Sequence, residues 1–349
     1  MQKNKFGKLG AVAAIAAASL VASVFYGASG STAATKTTIG IAYDLGGRSQ
    51  PGFNQLAYIG VAPYLKANKK VKLIEAQASL SDTDDTRAER LRLMVKAGAN
   101  PITAVGFLYA SALTKVAKEF PNVKFGIVDD GSVAAPNVEG ILFKEQEGSF
   151  LVGVIAALNT QTGKIGYIGG VKIPLLQKFE AGYVAGAMAI NPKIKIQVTY
   201  VSLPPDFSGF NDPAKGYEAA LGMYQNGADI VYAAAGGSGA GAHRAAFELG
   251  KHSIGVDADE ALYPSNSKWK SAILTSMLKR VDVGVLDFVT SVINKKFKAG
   301  NKTFGLSNDG VGYSTTGGQI SVAEKITVDR FKADIISGKI KVPEVPAGA

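Results

Sequence analysis

The tripeptide Gly-Phe-Asn occurs twice, at residues 52–54 and 209–211. Each copy lies on a Gly- or Pro-rich loop between a strand-like and a helix-like run. An aromatic ring on a loop exposes apolar surface unless something covers it. Phe53 and Phe210 therefore have two readings: each packs within its own half, or the two together sandwich a flat ligand. Asn54 and Asn211 can cap the helices that follow. Two carboxylates close strand-like runs, Asp129 after Phe125–Val128 and Asp257 after Ile254–Val256. At such an edge a carboxylate accepts hydrogen bonds from a ligand, or it caps its own loop.

Other chemistry has less support. Residues 237–242, Gly-Ser-Gly-Ala-Gly-Ala, fit the dinucleotide fingerprint G-x-G-x-x-G/A, and Asp257 follows at dinucleotide spacing. The motif comes after the third strand of its half, however, where a nucleotide fold carries it in the first strand-helix turn. A Gly-rich helix start that admits a ligand to its backbone amides satisfies the same physics without a cofactor. The chain has no Cys, which excludes disulfides, thiolate sites and a lipid carried on an N-terminal Cys. No Ser lies in a nucleophile-elbow context. His243 and His252 are the only histidines and read as surface or helix residues. Neither an enzyme, a cofactor nor a metal is expected. Asp82-Thr83-Asp84-Asp85 reads as a helix cap; it lacks the glycine and distal Glu of a calcium loop.

The elements that must hold these residues alternate. Strand-like runs at 38–43, 71–76, 102–107, 123–128, 138–143, 164–168, 194–201, 229–235, 252–256 and 271–276 interleave with helix-like runs. The latter span 53–67, 83–97, 110–119, 147–158, 175–190, 213–226, 240–249 and 281–295. That alternation predicts an α/β chain with parallel sheets covered on both faces. An echo predicts two similar lobes: helices ending at Gly98 and Gly227, each a C′ glycine, lead into strands that end at Gly106 and Gly236. Residues 342–349 read as a loose tail.

Residues 1–35 read as a signal peptide: Lys3, Lys5 and Lys8, an apolar run over 10–26, then small residues. The other reading is an uncleaved anchor. Without the leader, 349 − 35 = 314 residues remain, enough for two domains. The net charge becomes 38 − 3 − 28 = +7. The cations are scattered and do not interleave with aromatics, so nucleic acid is not an expected partner.

Taken in order, these segments resemble the basic membrane protein family of ABC-transporter substrate-binding proteins. The resemblance rests on residues 42–47 (Ala-Tyr-Asp-Leu-Gly-Gly) with 52–55, then 125–129 and 143–148 (Phe-Lys-Glu-Gln-Glu-Gly). It continues through 209–213, 237–241, 254–259 and 274–280. It implies a type I periplasmic-binding fold, two Rossmann-like lobes with three crossings near 144–148, 275–279 and 300–305. The lobes would be 36–143 plus 279–302, and 144–278 plus 303–349. It implies a monomer that binds a nucleoside, a purine in the first place, and delivers it to an ABC permease from outside the cytoplasm. Another solute, such as a signalling sugar, is the alternative within the same fold. Phe53 and Phe210 would clamp the base, with Asn54 and Asp129 at its edge and Asp44 on the first loop. Asp257, Lys279 and the Gly239 backbone would hold the ribose. The loop Ser49-Gln50-Pro51-Gly52-Phe53-Asn54 departs from the family's usual Asp-Lys-Ser-Phe-Asn.

Overall fold

A computed structural model describes residues 37–49 and 51–348. The leader and Gln50 lie outside the described residues. Two six-stranded sheets organise the chain, in the orders β11-β5-β4-β3-β1-β2 and β12-β10-β9-β8-β6-β7. The first contains β1 (Thr38–Tyr43), β2 (Lys72–Gln77), β3 (Ile102–Ala104), β4 (Phe125–Val128), β5 (Val138–Phe143) and β11 (Gly300–Phe304). The second contains β6 (Lys164–Val171), β7 (Lys195–Ser202), β8 (Ile230–Ala234), β9 (His252–Asp257), β10 (Ile273–Lys279) and β12 (Val311–Tyr313). Every pairing is parallel except β10 with β12.

The burial pattern explains the strands. β1, β4 and β8 are buried at every residue, as expected of strands covered by helices on both faces. The edge strands β2 and β7 carry half-buried and exposed positions. On one face of the first sheet, α2 (Asp84–Lys96) and α3 (Ala110–Glu119) enclose Leu91, Leu113 and Val116 against β3 and β4. On one face of the second, α6 (Pro213–Gln225) and α7 (Gly239–Glu248) do the same with Ala220 and Ala245. A third core is continuous through both lobes and joins α1 (Phe53–Ala67), α4 (Glu145–Asn159), α5 (Pro174–Ile190) and α8 (Val281–Ile293). Within it α4 and α5 pack backbone to backbone. A Cβ at Gly186 would lie 2.0 Å from the Phe150 carbonyl oxygen, and one at Gly153 2.2 Å from that of Tyr183.

The chain passes between the sheets three times: from β5 into α4, from β10 into α8, and from β11 to β12 through Gly305–Gly310. β11 runs on to Phe304, two residues past the expected lobe limit at 302. β11, β12 and α9 (Val322–Ile336) were not anticipated, and α4 starts at Glu145, two residues early. The expected loose tail is fastened at its start: Val342 packs on the common core, and Glu344 accepts a hydrogen bond from Gln146 Nε2 at 3.2 Å, while Val345 is exposed.

Candidate functional site

Corresponding strands of the two sheets end in corresponding loops, and these loops line one cleft. β1 and β6 lead into α1 and α5; β3 and β8 into Gly-containing turns; β4 and β9 into Asp129 and Asp257. The cleft encloses about 1110 Å³ of atom-free space, open at its mouth. That is the carboxyl edge, where ligands bind in open α/β sheets.

Phe53, the first residue of α1, lines the cleft from the first lobe. Phe210 lines it from the second, on a short 3-10 turn after β7. Its ring packs against Gly170, where a Cβ would come within 2.6 Å of ring carbon Cδ1. Among the described residues neither ring stacks on another aromatic ring. The lobes touch at Phe107 and Phe207, whose ring centroids lie 5.8 Å apart edge to face.

Behind the rings lies a buried charge cluster. Lys279, at the end of β10, is 1% exposed. Its ammonium donates to Asp129 Oδ2 at 2.7 Å and lies 3.0 Å from Glu145 Oε1. Three rings surround it, Phe53 and Phe143 at 5.3 Å and Phe179 at 5.6 Å. Burial pulls Lys279 down, yet Asp129, Glu145 and Asp257 together hold it above the ordinary lysine range. The acids outnumber the cation. Burial raises Asp257 most; Lys279 opposes, Asp129, Glu260 and Glu145 add to it, and the carboxyl reaches about 7. Burial likewise lifts Asp44 to about 6, against its bond from the Leu45 N–H and the pull of Arg87. Burial raises Glu145 as well, with Lys279 working against it.

Asp129 and Asp257 share a backbone feature. Their φ angles are 67° and 65°, in the left-handed region that costs a side chain about 1–2 kcal/mol. Both end equivalent central strands. Asp129 Oδ1 is buried without a hydrogen-bond partner among the described residues.

Other expected residues are placed differently. Asn54 lines the cleft and is 4% exposed, but its amide serves the β1–α1 loop. Oδ1 accepts from the Asp44 N–H at 3.0 Å and Nδ2 donates to the Leu45 carbonyl at 2.8 Å. Gly239 starts α7 without lining the cleft; Gly236, Gly237 and Ala240 line it instead. His243 lies in α7, as the helix reading had it, and is fully buried there. Its Nε2 donates to Glu260 Oε2 at 2.9 Å, and Nδ1 lies 2.8 Å from Ser253 Oγ. Thr83 caps α2, and Asp82 pairs with Arg90 at 2.7 Å. No group with metal-ligand geometry occurs among the described residues.

The sequence reading passed over Glu145, Phe179 and Tyr263. Pro174 at the start of α5 signals a strand-helix turn at the carboxyl edge, and that signal could have found Leu175, Leu176 and Phe179. Nothing local marks Tyr263.

A two-lobed cleft with paired rings and a buried lysine is a binding geometry, and comparison with known proteins gives its family. The profile described as "ABC transporter substrate-binding protein PnrA-like" matches residues 36–345. The chain belongs to this family. A "CD4+ T-cell-stimulating antigen" of Listeria monocytogenes is 36% identical over 322 residues, covering 88% of each chain. An "ABC transporter nucleoside-binding protein BmpA" of Lactococcus lactis is 33% identical over 351 residues, covering 95% of this chain and 98% of its own. A solved ABC-transporter solute-binding protein from Aeropyrum pernix superposes with a TM-score of 0.76 at 28% identity. It covers 88% of this chain and 94% of its own. The family is one of transporter binding proteins, so the chain is a receptor and not an enzyme. Among the described residues no helix is long and apolar enough to cross a membrane.

Proposed function

We propose that the cleft binds a nucleoside, a purine nucleoside in the first place, and presents it to an ABC permease. The observation that carries this is the pair Phe53 and Phe210, two rings from opposite lobes that line one cleft without stacking on other rings. Stacking of a flat base on aromatic rings is worth about 1–3 kcal/mol per base. Asp129 and Asp44 accept from N–H groups at the base edge, while Asn54 holds the Asp44 loop in place. Asp257 accepts from the vicinal ribose hydroxyls. Lys279 donates to Asp129 and sits beside Glu145, and an ammonium carries three donors, so one can serve a ligand oxygen. Backbone amides of the Gly236–Ala240 turn approach the sugar. The BmpA relative, named for nucleoside binding, supports the same ligand class.

We propose further that residues 1–35 export the chain and that it works as a monomer outside the cytoplasm. Closure about the three crossings would be driven by contacts that only the ligand makes with both lobes at once. Isothermal titration calorimetry with adenosine, guanosine, inosine, cytidine and uridine tests the ligand. Binding of the purine nucleosides ahead of the pyrimidines is expected. No heat with any of the five refutes the nucleoside reading, and tighter pyrimidine binding refutes the purine preference.

A further inference from the structure

We propose that Tyr263 is a specificity-determining residue whose hydroxyl donates a hydrogen bond to an acceptor on the bound nucleoside. This rests on the nucleoside reading above. The Tyr263 hydroxyl is buried and has no hydrogen-bond partner among the described residues. A buried donor left unpaired costs free energy, and native proteins rarely leave one without a reason. The ring lines the cleft, so the missing partner can come from a ligand.

The position of the hydroxyl narrows the role. It lies against Gly52 of the other lobe, where a Cβ would come within 3.3 Å of the phenolic oxygen. Gly52 has φ 100°, a value that favours glycine, and it directly precedes Phe53. The hydroxyl therefore reaches across the cleft to the root of the clamp ring. Its own loop begins at Asp257, so it stands where base and sugar meet.

The loop is firmly built. Glu260 Oε1 accepts from the Val256 N–H at 2.8 Å, and Oε2 accepts from buried His243 at 2.9 Å. The Glu260 N–H donates to Ser276 Oγ at 3.1 Å. Asn266 Nδ2 bonds the Glu260 carbonyl at 3.1 Å, and the Asn266 N–H bonds the Tyr263 carbonyl at 2.9 Å. The ring is thus held in place while its polar end is left open. Burial, and then Glu260, Asp257 and Asp259, push the phenol well above its ordinary range, so it keeps its proton and acts as a donor. The acceptor is a ring nitrogen of the base or a sugar hydroxyl oxygen.

The test titrates the full-length protein and its Tyr263→Phe variant by calorimetry. The ligands are adenosine, its 2′-, 3′- and 5′-deoxy forms, and its 1-, 3- and 7-deaza forms. The variant should bind adenosine about tenfold more weakly. That loss should vanish for the one analogue that lacks the acceptor, which also separates sugar from base. Unliganded Tyr263→Phe should melt no lower than the parent, because the hydroxyl has no partner to lose. Unchanged adenosine affinity in the variant, or an equal loss for every analogue, overturns the role of Tyr263 and leaves the nucleoside reading standing. If the unsubstituted protein binds none of these ligands, the nucleoside reading falls and this inference with it.

Discussion

On the proposed role of Asp257, ligand affinity should depend on pH, and the sign follows from the residue's surroundings. In the free protein its carboxyl titrates at about 7, far above the ordinary aspartate value of about 3.9. In the proposed complex, vicinal hydroxyls would donate to the ionised form, so the complex would carry fewer protons than the free protein. Affinity therefore rises with pH through about 7 and levels off above it. About a tenth of the free protein has Asp257 ionised at pH 6 and about nine tenths at pH 8, so affinity should rise about tenfold, or about 1.4 kcal/mol. Asp44, near 6, is already half ionised at pH 6 and adds at most about twofold. Calorimetry at the two pH values, repeated on Asp257→Asn, isolates the residue. Equal affinity at pH 6 and pH 8, or the same slope in the Asn variant, refutes the reasoning. The unliganded protein should respond in the opposite sense. A carboxyl raised on folding destabilises the fold as pH climbs from about 4 to about 7, so the free protein should melt lower at pH 8 than at pH 5.

Phe53→Ala and Phe210→Ala should each cost about 1–3 kcal/mol of nucleoside affinity, measured by titration; no change in both removes the clamp. Glu145→Gln should shift the affinity-versus-pH midpoint to lower pH, because the Glu145 charge is one of the groups that raise Asp257; a midpoint that stays or rises contradicts this. Gly186→Ala forces a Cβ to 2.0 Å from the Phe150 carbonyl and should lower stability by about 1–3 kcal/mol in denaturant unfolding. Gly222→Ala, with nothing within 4 Å of the added carbon, should be neutral or stabilising; equal losses for the two glycines would show that packing is not the cause.

What the sequence disclosed depended on how strongly burial writes itself into residue type. Central strands such as Phe125–Val128 are covered on both faces and appear as unbroken apolar runs. β11, Gly-Asn-Lys-Thr-Phe, is a polar edge strand with only Phe304 buried, and it carries no such run. In α9 only Val328 and Ile335 are buried while Val322 and Ile326 are exposed, which blurs the helical period. Phe53 and Phe210 were legible because an aromatic ring on a glycine loop is costly to leave bare. Asn54 was legible as a residue of the cleft but not in its bonding, since whether an amide faces its own loop or a ligand is decided by tertiary geometry. Tyr263 and Glu145 stayed hidden for the same reason: one owes its place to a loop anchored by distant His243, the other to a lysine 134 residues away (279 − 145).

The four residues Lys144–Glu147 show how the cleft and the hinge are joined. The Lys144 N–H donates to the Phe304 carbonyl at 2.8 Å, and Glu147 Oε2 accepts from the Leu306 N–H at 2.8 Å, which ties the first crossing to the third. Glu145 lies 3.0 Å from Lys279, which ties the first to the second. The Arg280 N–H donates to the Gly310 carbonyl at 2.9 Å and links the second to the third. Gln146 bonds Glu344, so the C-terminal segment is fastened at the same point. The three crossings are therefore fastened to one another by hydrogen bonds and an ion pair. The same segment also supplies Glu145 to the charge cluster in which Asp129 of one lobe and Asp257 of the other face one lysine. Any change in the ionisation of that cluster acts at the point about which the lobes would turn. On the proposed function, binding and closure would share one set of charges, and a substitution meant to alter only one of them would have to avoid Glu145 and Lys279.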